Sequence, residues 1–260
     1  MLSTDQMQRA VSLLAPARRI VSLVPSQTEL LCAIGAKDRL VGLTKFCTEP
    51  KGQLKDVAKV GGTKQFDFAA IEALQPDLII GNKEENYPEG IERLAESYPV
   101  WMSDILTLED ALDMIVSLGM LSDCLVPAES LVTEIREGFD QLALASLKPK
   151  KVAYLIWQKP YMVAGGDTFI NTLLKLGALD NVFAEQSRYP EVSMDAIASS
   201  EAELVLLSSE PFPFREKHLA AFSRALPNKA VKLVDAMPFS WYGSQLLRTP
   251  DYLLELHSTS

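Results

Sequence analysis

PAESLVTEIREGFDQLALASL, residues Pro127 to Leu147, stands at the middle of a 260-residue chain. Leu131, Ile135, Phe139 and Leu142 recur at steps of four, four and three, which places them on one face of a helix. Glu129, Glu134, Arg136, Glu137, Asp140 and Gln141 fill the rest of the surface. Pro127 suits a first helical position and Pro149 stops the run. About 21 residues at 1.5 Å each span roughly 30 Å, the width of a small domain. Gly138 costs such a helix about 1 kcal/mol relative to alanine, so packing has to hold it. By itself the segment fits an ordinary surface helix of one large domain.

The flanking sequence decides otherwise, because it repeats. LLCAIGAKDRLVG and TLLKLGALDNVFA share a hydrophobic-Gly-Ala-x-Asp ending, with Gly35 and Gly177 142 residues apart. DFAAIEALQPDLIIG and SMDAIASSEAELVLLS match at Ile71 and Ile197, Asp77 and Glu203, and Leu78 and Leu204, 126 residues apart. The offsets differ by 16, so the first half carries that many extra residues, and they fall in Thr44 to Lys59.

The order of elements also repeats. After a weak extended segment from Asp5 to Leu14, the first half predicts strands at Arg19–Val24, Arg39–Leu43, Pro76–Ile80 and Val100–Met102. Between them come a helix opened by a Ser26–Glu29 capping box and helices at Asp67–Leu74, Ile91–Ser97 and Leu106–Leu121. The second half predicts a strand at Lys151–Trp157 with a hairpin partner at Tyr161–Ala164, then strands at Ala202–Leu207 and Val231–Val234. Its helices are Thr168–Leu176, Ser193–Ser199, Glu216–Ala225 and Gly243–His257. Alternating strands and helices imply parallel sheets. The expectation is an α/β fold of two similar lobes with mostly parallel sheets. Residues 1–121 and 150–260 form the lobes, and residues 122–149 hold one long backbone helix, the only crossing between them.

A hydrophobic content of 48% with 23% charged residues describes a folded globular chain. A net charge of −9 argues against nucleic acid or an anionic membrane as partner, and no apolar run approaches the roughly 18 residues of a membrane span. The N-terminus, MLSTDQMQRAVSLLAPARR, lacks the basic-then-apolar order of a signal peptide, which implies the cytoplasm if the chain is complete. Cys32, Cys47 and Cys124 show neither metal spacing nor a disulfide framework. Only two histidines occur, His218 beside charges, read as solvated, and His257 near the end. No nucleophile–base arrangement, phosphate loop or metal motif is present, so neither a catalytic nor a metal site is expected.

In open α/β sheets ligands gather at the carboxyl ends of the strands. Those edges are rich in aromatic side chains: Tyr87, Trp157, Tyr161, Phe212, Phe214, Phe239, Trp241 and Tyr242. They suit a large, flat or greasy ligand, although part of the set must close the cores. Helix starts such as Ser26 and Thr168 add backbone N–H groups.

RIVSLVPSQTELLCAIG, RLVGLTKFCTEP, VGGTKQFDFAAIEALQPDLII, the mid-chain helix and RYPEVSMDAIASSEAELVLL together resemble the helical-backbone substrate-binding proteins of ABC importers. That group carries cobalamin, haem and ferric siderophores, and its corrinoid-binding branch is the most similar. The resemblance runs from about Asp5 to Leu256. It implies a monomeric, non-catalytic, periplasmic protein with no intrinsic cofactor, which binds cobalamin, haem or a ferric siderophore in the cleft between two lobes and hands it to an ABC permease. By position, Phe46 stands where corrinoid binders place a ring after the second strand, while Thr63 and Lys64 occupy the turn where a second ring is expected. Tyr189 and the PFSWYG stretch (Phe239, Trp241, Tyr242) supply the other lobe. The expected ligand set is Ser26, Gln27, Phe46, Lys64, Trp157, Tyr161, Tyr189, Phe239, Trp241 and Tyr242, with Lys64, Arg188 and Arg248 toward an anionic ligand. For permease docking, Asp195 fits the acidic position of the second lobe, but Ala69 stands in the first and Glu72 one turn on replaces it. That departure keeps open a soluble chelate binder inside the cell. A two-lobed α/β metabolic enzyme, which needs a titratable cluster, is the other alternative.

Overall fold

The computed structural model describes residues 1–258 of the chain. It divides into two compact units. Unit 1 holds Met1–Ile105, Glu109–Ile135 and Trp241–Ser244; unit 2 holds Leu106–Leu108, Arg136–Ser240 and the residues from Gln245 onward. The chain therefore passes from one unit to the other at 105/106, 108/109, 135/136, 240/241 and 244/245. The expectation of a single crossing is corrected. Leu106 joins unit 2 because its carbonyl accepts from the Thr172 hydroxyl at 2.7 Å. Trp241–Ser244 joins unit 1, where Gly243 lies so close to Leu30 that a Cβ would stand 2.9 Å from the Leu30 Cβ.

Unit 1 opens with a hairpin, β1 (Leu2–Thr4) and β2 (Ala10–Ser12), in the stretch read as weakly extended. Buried Asp5 ties it to the sheet, accepting from the Met7, Arg9 and Met102 N–H groups and from Arg9 Nε between 2.8 and 3.2 Å. Then come β3 (Ile20–Ser22), α1 (Pro25–Ala33), β4 (Leu40–Leu43), β5 (Ala58–Lys59), a small hairpin of β6 (Gly61–Gly62) and β7 (Gln65–Phe66), α2 (Phe68–Leu74), β8 (Leu78–Asn82), α3 (Pro88–Ala95), β9 (Val100–Ser103) and α4 (Leu108–Leu121). The main sheet has the order β5-β4-β3-β8-β9, with every pair parallel. Strand alternation sends Val21, Ile79, Val100 and Met102 to one face, where Ile71 of α2 and Ile91 and Leu94 of α3 cover them. Trp101 and Ser103 alternate with that set; Gln27 of α1 bonds to the Ser103 hydroxyl at 2.6 Å and reaches Met114 of α4 at 3.5 Å.

The mid-chain helix, α5, runs from Leu125 to Leu144 without a break at Gly138. It starts two residues before Pro127, which sits in the first turn, where a missing N–H costs nothing. Ala128, Leu131, Ile135, Phe139 and Leu142 are its buried stripe. Gly138 has a packing reason: a Cβ there would lie 3.1 Å from Pro250 Cγ.

Unit 2 continues with β10 (Lys150–Trp157), β11 (Tyr161–Val163), α6 (Phe169–Leu176), β12 (Leu179–Asn181), β13 (Glu191–Val192), α7 (Met194–Ser199), β14 (Leu204–Ser208), α8 (Glu216–Ala225), β15 (Ala230–Val234), α9 (Met237–Ser240) and α10 (Thr249–Ser258). β12, β10, β14 and β15 pair in parallel, and β11 and β13 add an antiparallel flank. Ala153, Leu155, Val205 and Leu207 face Ile197 of α7 and Phe222 of α8. On the other side Tyr154 packs its ring edge-on against Phe239 at 5.0 Å.

The repeat is structural. β8 and β14 keep the same limits 126 residues apart, with fully buried Ile71 and Ile197 in the helices before them. Those helices are capped alike: Asp67 accepts from the Ala70 N–H and Ser193 from the Ala196 N–H, each at 3.0 Å.

Three local expectations fail. Val24, not Ser26, is the N-cap of α1, and no side chain caps it, because Pro25 already opens the helix. The closing helix is split into a 3-10 turn at Ser244–Leu247 and α10, with Pro250 in the first turn of α10. His218 is buried rather than solvated, and it closes a capping box by accepting from the Arg215 N–H at Nδ1, 2.9 Å away.

Two predictions follow from this packing. A Cβ on Gly119 of α4 would lie 2.4 Å from the Ala128 Cβ and 3.1 Å from the Cys124 carbonyl. Gly119→Ala should therefore destabilise by about 1–3 kcal/mol in chemical denaturation despite alanine's better helix propensity; a gain in stability would contradict this packing. Burial, then the Lys217 and Arg215 charges, hold the His218 imidazole below its ordinary pKa. The unfolded chain binds that proton more readily. The contribution is thus complete above the unfolded pKa of about 6.5 and is lost as pH falls below it and through the lower folded pKa. His218→Ala should cost about 1 kcal/mol at pH 7.5 and less at pH 5; an equal cost at both would exclude the neutral cap.

Candidate functional site

In unit 1 the loops after β3, β4 and β8 and the β6–β7 hairpin gather at the carboxyl end of the sheet. Buried hydroxyls fix their bases. Thr28 of α1 donates to Ser22 at 2.7 Å and lies 3.1 Å from Cys47 Sγ, which is 3.2 Å from the Thr44 hydroxyl. Asn86 holds two loops at once, donating to the Leu23 carbonyl at 3.3 Å and the Thr63 carbonyl at 3.1 Å. Asn82 Oδ1 accepts from the Glu84 and Glu85 N–H groups, which shapes the turn after β8. This scaffold presents Phe46, 53% exposed, with Lys45 Nζ 5.2 Å from its ring centre. Lys64 Nζ donates to the Glu84 carbonyl at 2.8 Å.

The other expected residues of unit 1 are inside. Ser26 is buried in the first turn of α1, and its hydroxyl has no hydrogen-bond partner among the described residues. Gln27 spends its amide on Ser103 and on the Gly81 carbonyl, so it joins α1 to the sheet rather than facing outward. Trp241 and Tyr242 are buried and belong to unit 1.

In unit 2 Trp157 ends β10, 38% exposed, with its ring edge-on to Phe212 at 5.7 Å. Phe212 in turn meets Phe214 at 4.8 Å and His218 at 5.2 Å. Tyr161 packs on Phe222 at 5.3 Å and closes the core, and Tyr189 lies half-buried beside the Arg188 guanidinium, 5.8 Å from its ring centre. Phe239 is the clear correction: it is fully buried between Tyr154 and Tyr252, so no ligand reaches it. Thr168 caps α6 and accepts from the Asn171 N–H at 3.2 Å. Arg248 pairs with Asp235 at 3.0 Å.

Burial and Glu29 push the Cys32 thiol up to about 11, and burial raises that of Cys47, so neither is a thiolate at neutral pH. Among the described residues no group of three or more His, Cys, Asp or Glu is placed to hold a metal ion, and no helix is long and apolar enough to cross a membrane. A cavity of about 350 Å³ in unit 2, lined by Lys151, Asp180, Asn181, Val182, Ser200 and Glu201, lies at the amino ends of its strands, away from the expected residues. The acidic positions are exposed. Asp195 is the second residue of α7, Ala69 holds the matching place in α2, and Glu72 follows on the same helix. Lys45 and Lys59 also stand at the carboxyl end of the unit 1 sheet, and their only signal in the sequence is nearness to Phe46 in the extra segment.

Comparison with known proteins gives a consistent result. The chain is 28% identical over 247 residues to the vitamin B12-binding protein of Vibrio parahaemolyticus, covering 93% of this chain and 88% of the relative. Its fold matches the periplasmic vitamin B12-binding protein of Vibrio cholerae with a TM-score of 0.80 and 23% identity, over 94% of this chain and 99% of the other. It also matches a periplasmic haem-binding protein of Pseudomonas aeruginosa with a TM-score of 0.81 and 20% identity, over 94% of each chain. These relatives are solute-binding proteins, not enzymes. The family description "Periplasmic binding protein" matches residues 20–236, and the chain belongs to that family.

Proposed function

We propose that the chain is the solute-binding protein of an ABC-type importer and captures a bulky metal chelate, a cobalamin-like corrinoid first, haem or a ferric siderophore next. The observation that carries this reading is the pair of exposed rings, Phe46 and Trp157, each at the carboxyl end of its own unit's sheet and each seated on a built scaffold. A large exposed ring costs solvation unless a partner covers it, and flat macrocycles are the partners that use it best. The vitamin B12-binding relative at 28% identity favours a corrinoid; the haem-binding fold neighbour keeps haem second. Half-buried Tyr189 joins Phe46 and Trp157 in the proposed ligand set, with Lys64 as its cation. The protein works in the periplasm, and Asp195, with Glu72 in place of an acidic residue at position 69, docks it on the permease.

Absorbance titration with dicyanocobalamin, haem and a ferric chelate tests this reading. It predicts a dissociation constant of about 1 µM or tighter for at least one of them, weakened about tenfold each by Phe46→Ala and Trp157→Ala. No binding of any of the three below roughly 100 µM would overturn it.

A further inference from the structure

Three lysines stand at the carboxyl end of the unit 1 sheet without a carboxylate partner among the described residues. Lys45 lies over the Phe46 ring at 5.2 Å. Lys59 Nζ donates to the Cys47 carbonyl at 3.3 Å, and Lys64 Nζ to the Glu84 carbonyl at 2.8 Å. Lys83, by contrast, is neutralised by Asp104 at 2.6 Å. The three come from different elements and are brought together by the fold. The Lys45 N–H bonds to the Gly61 carbonyl at 2.8 Å, and β5 aligns Lys59 with Leu43. Gly62, two residues before Lys64, presents a bare backbone on which both the Phe46 ring and the Lys45 stem rest, 3.3 and 3.6 Å from where its Cβ would be.

A main-chain carbonyl positions an ammonium group but does not cancel its charge, and each of these groups has three N–H donors. Any ligand that covers Phe46 also takes water from Lys45. Removing solvation from an unpaired ammonium is unfavourable unless the ligand brings the opposite charge. Glu84 and Glu85 share this end of the sheet, each with interactions of its own, and the Glu85 charge is felt at Cys47, but neither forms an ion pair with the three lysines among the described residues. In a chain with net charge −9, three lysines without an ion-pair partner around an exposed ring are a feature of the site, not of the average surface.

On the reading that Phe46 meets the ligand, we infer that the ligand carries a phosphate or carboxylate beside its flat face, and that Lys45, Lys59 and Lys64 select for it. The test uses chelate pairs that differ in that charge: dicyanocobalamin against dicyanocobinamide, which lacks the phosphodiester together with its ribose and base, and haem against its dimethyl ester. Each is titrated into the unmutated chain and into Lys45→Gln, Lys59→Gln and Lys64→Gln, with melting temperature as a control on folding. In the pair that binds, the anionic member should bind at least tenfold more tightly and lose that advantage as salt rises. The lysine variants should weaken only the anionic member, by several-fold each. Equal affinity of the two members, or lysine variants that weaken both alike, would overturn this inference and leave chelate binding standing. Failure of all four chelates to bind would overturn this inference, and the proposed function falls with it when the ferric chelate fails as well.

Discussion

The buried stripe of α5 is the constraint on which both units depend. A helix of 20 residues has to bury an apolar face along its length, because intrinsic propensity alone leaves it marginal. Ala128, Leu131 and Ile135 do so in the part that belongs to unit 1, and Phe139 and Leu142 in the part that belongs to unit 2. The single glycine in between is a contact surface for Pro250, not a break. The same helix therefore places buried side chains in each unit.

Parallel pairing does the rest of the organising. A parallel strand must be followed by a crossover, usually a helix, so every chain segment returns over a face of the sheet and the loops collect at two ends. The amino ends carry exposed ion pairs such as Lys151 with Glu201. The carboxyl ends carry rings and polar side chains whose bases are locked by buried bonds, as with Asn86 and the Thr28–Cys47–Thr44 group. Holding loops in this way lowers the ordering cost of binding, which is what a capture protein requires. The Thr44 to Lys59 segment, which has no counterpart in the repeat of the second half, carries Lys45, Phe46 and Lys59.

Much of this was legible from residue pattern. The 126-residue offset reappears as identical strand limits and equivalent N-caps because both follow from one local rule, a short polar side chain ahead of a buried isoleucine. What escaped was decided at long range. Ser26 followed by Glu29 reads as a capping box, but Pro25 starts the helix one residue earlier and puts Ser26 inside its first turn. His218 among charges reads as solvated, whereas Phe212 and Phe214, brought in from the preceding loop, cover its ring. Phe239, Trp241 and Tyr242 read as one aromatic patch. The chain passes between units within that stretch, so Phe239 is core in unit 2 while its neighbours lie in unit 1. Exposure of a ring in a loop is not encoded by its neighbours in sequence, which is why Phe46 and Tyr161 looked alike and are not.

The central claim is that the carboxyl-end loops of the two sheets are what the ligand meets. Amide hydrogen exchange of the intact chain, with and without a saturating chelate, addresses it directly. The account predicts slower exchange in residues 44–66 and 157–163, with no change at residues 150–152, 179–181 and 200–203, where the strands of unit 2 begin. Protection confined to those strand beginnings, or no protection in either loop region at saturation, would contradict it.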